Sequence, residues 1–294
     1  MPEFAPYKAL NDALVPREAE LLSDKDGIRV FRVPHLGSTA VLKLFDDPRH
    51  LREIENYRLL QEIGVPTLRV YEYFTSALLM QDLASSPDLR LASEADLNDP
   101  ETLKALASWY MALHQNGADA AQDPARKWYS EHALIQRETL TWIARETQTA
   151  DWPIWERLHR YWPEIQAFEA SLNHTLTYND FWWVNLAVGR DKPAALVFDY
   201  NFLGRGLATT DLRNVLAGLP EAGKAVFTAA YGSVDPREAL VDDLFSPLVS
   251  LSIGLRRKER PGWLDEVWEA VQNGSLKKAL DPLLRKMEDE DAPL

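Results

Sequence analysis

The sequence predicts a bilobal α+β fold, with a small β-rich N-terminal lobe over residues 1–83 and a larger, mainly helical C-terminal lobe over residues 84–294. Three observations predict it. β-Branched and apolar runs crowd the first eighty residues, and stripes of apolar residues at helical spacing dominate beyond residue 100. A single β-like island, residues 186–198, interrupts the helical part.

In the first lobe, residues 28–33 and 39–45 read as strands joined through Gly37-Ser38, a turn composition. Asp47-Pro48 marks a break. Leu51, Ile54, Tyr57 and Leu60 then recur at helical spacing over residues 51–63, closed by Gly64 and Pro66. Residues 68–74 and 77–80 read as two more strands. Beyond Met80 the texture turns polar, and residues 84–99 form a turn-rich connection. It ends at Asp99-Pro100-Glu101, a helix start with a cap, a first-turn proline and an acid. Leu103, Leu106, Ala107, Tyr110, Leu113 and His114 make the apolar stripe of that helix. Residues 128–147 and 152–171 read as helices, the second kinked or divided at Pro163, and the chain is helical from Pro220 onward.

The composition, 46% hydrophobic and 26% charged, supports a sizeable core. Cysteine is absent, which removes disulfides, thiolate metal sites and cysteine nucleophiles and fits a cytoplasmic location. Met1-Pro2-Glu3-Phe4-Ala5-Pro6 lacks the basic-then-apolar order of a signal segment, and no apolar stretch reaches bilayer-spanning length, so no membrane partner is expected. A net charge of −13 argues against nucleic acid, since few cations are free to displace counterions, and it suits a cationic ligand.

The chemistry concentrates in Thr177-Tyr178-Asn179-Asp180-Phe181-Trp182-Trp183-Val184-Asn185 and in Phe198-Asp199-Tyr200. Read as an antiparallel hairpin, residues 186–189 and 195–198 set Gly189 opposite Ala195, and the same register sets Asn185 opposite Asp199. Magnesium takes one or two protein oxygens and completes its shell with phosphate and water, which an adjacent Asn and Asp suit. A further carboxylate, Asp180, can align an attacking hydroxyl. Lys43 shares a strand face with Val41 and Phe45, an expensive position for an ammonium unless it is paired.

These residues resemble the aminoglycoside phosphotransferase and choline kinase-like family, a branch of the protein-kinase-like fold. The resemblance runs from about residue 20 to residue 215. It implies a small-molecule kinase that moves the γ-phosphoryl group of ATP or GTP to a hydroxyl of an acceptor. Asp180 would be the catalytic base, and Asn185 and Asp199 the Mg²⁺ ligands. Val41-Leu42-Lys43 resembles the strand whose lysine holds the α- and β-phosphates, with Glu53, or else Glu55, as its partner. Leu78-Leu79-Met80-Gln81-Asp82-Leu83 resembles the strand and hinge along which the purine lies, so Met80, Gln81, Asp82 and Leu83 complete the nucleotide site. Asp211-Leu212-Arg213 resembles the segment that braces the catalytic loop.

Two departures stand out. Tyr178-Asn179 replaces the family's His-Gly before the catalytic aspartate, and Asn tolerates left-handed backbone better than most residues. The phosphate loop, Ser23-Asp24-Lys25-Asp26-Gly27, holds one glycine. The acceptor stays open among an aminoglycoside or other antibiotic, an amino alcohol, a sugar and a protein hydroxyl, the last making the chain a protein Ser/Thr kinase. A regulatory pseudokinase that binds nucleotide without transfer is the rival reading. Outside the motif, His114 reads as a satisfied helix histidine. Trp182 and Trp183 read equally as pocket lining or as packing beneath the loop, and Asp242-Asp243 as exposed surface acids.

Overall fold

The computed structural model of the chain describes residues 6–291; residues 1–5, most of the stretch read for a signal segment, lie outside the described residues. The first elements are α1 (Lys8–Asp12), β1 (Glu20–Lys25), β2 (Ile28–His35), β3 (Ser38–Phe45), α2 (Arg52–Glu62), β4 (Val70–Tyr73) and β5 (Ala77–Gln81). Next come β6 (Leu89–Leu91), α3 (Pro100–Ala120), α4 (Arg137–Glu146), α5 (Pro153–Ala170), β7 (Thr175–Thr177), β8 (Leu186–Gly189), β9 (Ala195–Val197) and β10 (Gly204–Gly206). The rest is helical: α6 (Ala208–Ala217), α7 (Glu221–Tyr231), α8 (Pro236–Arg256), α9 (Trp263–Gln272) and α10 (Ser275–Asp291). This is the mixed class the sequence predicts, a β-rich N-terminal region followed by a mainly helical part. Among the described residues no helix is long and apolar enough to cross a membrane.

The chain divides into two compact units. The first comprises the described residues up to Gly117 together with Asp180–Leu203 and Asn214–Gly232. Its main sheet is antiparallel in the order β1-β2-β3-β5-β4. Inner positions of the central strand β3, Ala40, Leu42 and Leu44, are at most 3% exposed and pack with Val33 and Ala77. A bidentate pair inside this unit, Arg29 with Asp46 at 2.6 and 3.0 Å, is extended by Asn11 and Ser76 and ties α1 to the sheet. Leu59, Leu60, Ile54 and Tyr57 give α2 its buried face, and Gly64 ends the helix at a φ of +74° that glycine alone takes without strain. A smaller sheet orders β6-β8-β9.

The second unit comprises Ala118–Asn179, Gly204–Arg213 and the described residues from Ser233. Trp155, Leu158, Trp162 and Ile165 of α5 pack with Leu244, Phe245 and Leu248 of α8 in one core. A buried ionic network lies beside it. Asp242 accepts from Arg213 Nε at 2.8 Å and from Thr210 at 2.9 Å, and Arg213 also reaches Glu131 at 3.1 Å. Glu169 stands between His132 and His174, at 3.1 and 2.8 Å.

Several expectations are corrected here. Asp242 is buried rather than a surface acid, because Arg213 and Thr210 satisfy it; Asp243 alone is exposed. Residues 128–136 are not part of a helix: Tyr129 bridges to Gly204, a short 3₁₀ turn covers His132–Leu134, and the extended Gln136 caps α4. Helix α5 runs undivided through Pro163, held on both sides by buried Leu158, Trp162 and Ile165. Residues 23–25 belong to β1, so the expected phosphate loop shrinks to a two-residue turn.

Candidate active site

The site assembles within the first unit from four pieces of chain. Lys43 lies on β3, between Val30 and Leu78 of the flanking strands. Its ammonium meets both Glu53 oxygens at 2.7 and 2.8 Å and Asp199 Oδ1 at 3.1 Å. Of the two candidate glutamates Glu53 therefore makes this contact, while Glu55 faces away and pairs with Arg58 at 2.7 Å. Burial presses the Lys43 ammonium toward neutrality, but the Glu53 and Asp199 carboxylates outweigh it and hold the lysine above its ordinary value. Glu53, which has no exposed surface, is pushed up by that burial against the pull of Lys43.

The β8–β9 hairpin carries the next pair. Its register sets Leu186 opposite Val197 and Val188 opposite Ala195, one residue away from the register the sequence reading assumed. Asn185 thus faces Phe198, whose N–H it accepts at 2.9 Å, rather than Asp199. The shift is set at the turn, where the Gly189 N–H donates to the Ala194 carbonyl at 2.9 Å and Ala195 already faces Val188. Asp199 leaves the ladder with φ at +68°, a left-handed conformation rare outside glycine, and turns onto Lys43. Asn201 Nδ2 donates to the same Asp199 Oδ1 at 3.0 Å, and Asn56 Nδ2 holds the next carbonyl, that of Tyr200, at 2.8 Å. Burial works to raise Asp199, yet Lys43 and Asn201 hold it below the usual carboxylate value. Sequence reasoning missed Asn201; the Asp-x-Asn spacing, which favours a side-chain bond two residues away, was its available signal.

A cavity of about 850 Å³ opens onto these groups, lined by Lys43, Asp180 and Asp199 and by Met80, Gln81, Asp82 and Leu83. Asn185 is not among its lining residues, whereas its neighbour Val184 is. The Asp82 carboxylate is occupied: Thr39 Oγ1, Arg32 Nε and the Ala84 N–H donate to it at 2.6, 2.8 and 3.0 Å. It therefore shapes the segment, and only the rest of the residue is open to a ligand. Arg190, which no sequence signal marked, clamps the following stretch by donating to the carbonyls of Leu83, Ser86 and Leu89 at 3.1, 2.8 and 3.1 Å. Asp180 is half-buried. Desolvation, then repulsion from Asp199, pushes its carboxyl up to about 6, against the attraction of Lys43.

In the second unit, Asp211 accepts the N–H groups of Tyr178 and Asn179 at 2.6 and 2.8 Å. Asn179, immediately before Asp180 in the chain, takes φ +65°, the conformation in which glycine is at ease. Its side chain bonds back to the Thr177 carbonyl and hydroxyl at 3.1 and 2.9 Å, a local reward that offsets the strained backbone. Tyr178 is fully buried. Trp182 is 54% exposed, and His114 is satisfied by the Tyr231 hydroxyl at 2.7 Å.

The donor set can be tested for a magnesium ion. Asp199 Oδ1 is taken by Lys43 and Asn201, which leaves Oδ2 for a ligand. A single open carboxylate oxygen is a sparse set, and sparse oxygen sets suit magnesium when phosphate and water supply the remainder. The residues fit.

The sequence matches the model of a phosphotransferase enzyme family over residues 22–241, about three quarters of the chain. No curated protein matches it in sequence. Similar solved structures include a macrolide 2′-phosphotransferase from Brachybacterium faecium, 20% identical with a TM-score of 0.56, covering 90% of this chain and 98% of that one. A choline/ethanolamine kinase family protein from Mesorhizobium loti is 14% identical with a TM-score of 0.57, covering 95% and 96%. A choline kinase from Streptococcus pneumoniae is 12% identical with a TM-score of 0.54, covering 96% and 97%. At these identities the likeness is one of fold, the protein-kinase-like fold expected from the motifs. The family match over most of the sequence goes further: the chain belongs to the phosphotransferase enzyme family.

Proposed function

We propose that the chain transfers the γ-phosphoryl group of ATP or GTP to a hydroxyl of a small, cationic acceptor. One observation carries the reading: Lys43 stands between Glu53 and Asp199 on the wall of a cavity that also holds Asp180 and the segment 80–83. Residues 1–83 act as the nucleotide-binding lobe and residues 84–294 carry the catalytic loop and acceptor site. Met80, Gln81, Asp82 and Leu83 receive the purine through their backbone and apolar surface. Lys43, aimed by Glu53, holds the α- and β-phosphates. Asp199, fixed by Lys43 and Asn201, and Asn185 hold magnesium, which when bound neutralises phosphate charge. Asp180 accepts a hydrogen bond from the attacking hydroxyl and takes its proton. Its raised pKa makes it a better proton acceptor than an ordinary aspartate. Most of the catalysis is positioning.

A cationic acceptor is supported by the net charge of −13 and by the carboxylate at the point of attack. Hydroxyl-bearing amines, antibiotics, sugars and peptides, screened for nucleoside diphosphate release, test both halves of the reading. An amine acceptor whose KM rises with salt is expected, since screening shortens charge attraction to about 8 Å at physiological ionic strength. A neutral acceptor with a salt-indifferent KM would remove the cationic half; no turnover with any acceptor would remove the transfer itself.

A further inference from the structure

The cavity wall between the β1–β2 turn and α2 carries groups to which the reading above gives no task. Asp26 and Gly27 form the whole β1–β2 connection, with Lys25 paired to Ile28 and φ values of +54° and +81°. That is the tight two-residue hairpin turn in which both central residues are left-handed. It is fixed there: a side chain on Gly27 would meet Asp47 Cβ at 2.9 Å, and the Gly27 carbonyl accepts the Asp46 N–H at 2.9 Å. So short a turn has few amides to wrap a triphosphate, and it brings the Asp26 carboxylate, which repels one.

The opposite charge comes from the chain entering α2. Arg49, His50 and Arg52 all line the cavity. Arg49 is committed to Asp47, at 2.6 Å. Arg52 is not committed to an acid: among the described residues its side chain has no ion-pair or hydrogen-bond partner, and its guanidinium rests 5.6 Å from the centre of the Phe202 ring. His50 ties this segment to the turn, its Nε2 lying 3.0 Å from the Asp26 carbonyl. Its Nδ1 is buried without a hydrogen-bond partner among the described residues. Arg52 directly precedes Glu53, which grips Lys43, and Phe202 lies three residues beyond Asp199. An uncommitted guanidinium therefore lines the same cavity as Lys43 and Asp199, the residues assigned to the phosphates and to magnesium.

We propose that Arg52, steadied by Phe202 and flanked by His50, binds the terminal phosphate of the nucleotide in place of a glycine-rich loop. The proposal rests on the nucleotide reading given above and deepens it. Guanidinium is suited to the task, because its planar fork donates two parallel hydrogen bonds to phosphate oxygens. A contact confined to the terminal phosphate also has a consequence that a structural role lacks: it separates triphosphate from diphosphate, favouring entry of substrate and release of spent nucleotide.

The test is calorimetry with Mg²⁺ on the full chain, comparing the β,γ-imido triphosphate with ADP for wild type, Arg52→Ala and Arg52→Lys. Arg52→Ala should weaken triphosphate binding roughly ten- to hundredfold, the worth of a charge-assisted contact. ADP binding should stay within about twofold, which also shows that the variant is folded, and Arg52→Lys should recover part of the loss. Equal losses for both nucleotides, or none for either, would overturn the assignment while leaving the nucleotide site standing. No affinity of the wild type for either nucleotide would overturn both.

Discussion

Asp180→Asn should make the protein more stable at neutral pH while it removes turnover. Asp180 is half-buried, has a like charge in Asp199 nearby, and is displaced from 3.8 to about 6 by desolvation and that repulsion. Its folded-state value lies above its unfolded one, so the native state holds the proton longer. The stability this confers is fully present below about pH 4 and is lost as pH rises through about 6. Above that, the wild type carries a charge that its fold disfavours. At about 1.36 kcal/mol per pH unit the displacement is worth at most about 3 kcal/mol, and partial exposure to water reduces it to about 1–2 kcal/mol. Asparagine keeps the shape and removes the charge. Thermal unfolding at pH 8 should therefore show a midpoint raised by a few degrees, roughly 2–4 °C per kcal/mol for a chain of this order of size. The gain should vanish near pH 4. A gain equal at both pH values would assign it to packing rather than charge, and a loss at pH 8 would refute the reasoning. Nucleotide binding should persist while turnover falls by orders of magnitude.

Breaking the Lys43–Glu53 pair by Lys43→Met leaves a carboxylate with no exposed surface uncompensated and should cost about 3–5 kcal/mol; the double variant with Glu53→Met should recover most of it. Denaturant melts showing additive losses in the double variant would contradict the pairing. Asp242→Ala strips Arg213 and Thr210 of their acceptor and should likewise cost about 3–5 kcal/mol, whereas Asp243→Ala, one residue on but exposed, should stay within about 0.5 kcal/mol. Equal melts for the two alanine variants would show that the Asp242 network contributes nothing.

The contrast between those neighbouring acids shows what the sequence could not express. Period and turn chemistry are local, and they predicted strands β2, β3 and β5 and helices α2 and α3; the left-handed fitness of Asn179 followed from its standing where the resembled family has glycine. An apolar face interrupted by one lysine predicted a buried partner, and Lys43 has one. Asp242 looked like surface because its burial depends on Arg213, 29 residues away in the chain, and on Thr210. Strands β6, β7 and β10 have three residues each, too few to show alternation. The hairpin register differs by one because the turn closes on a Gly189–Ala194 bond rather than on Ala195, a choice that turn composition alone does not fix. Arg52 was invisible for a related reason: a charge at the start of a helix reads as solvated until the cavity beside it is seen.

Magnesium-linked nucleotide binding tests the central claim most directly. Wild type and Asp199→Ala should be titrated with a nucleoside triphosphate by calorimetry, each with and without Mg²⁺. Wild-type affinity should rise when Mg²⁺ is present, because Asp199 Oδ2 is the carboxylate oxygen left open by Lys43 and Asn201. The variant should lose that rise. Identical affinities and identical metal dependence in the two proteins would contradict the account.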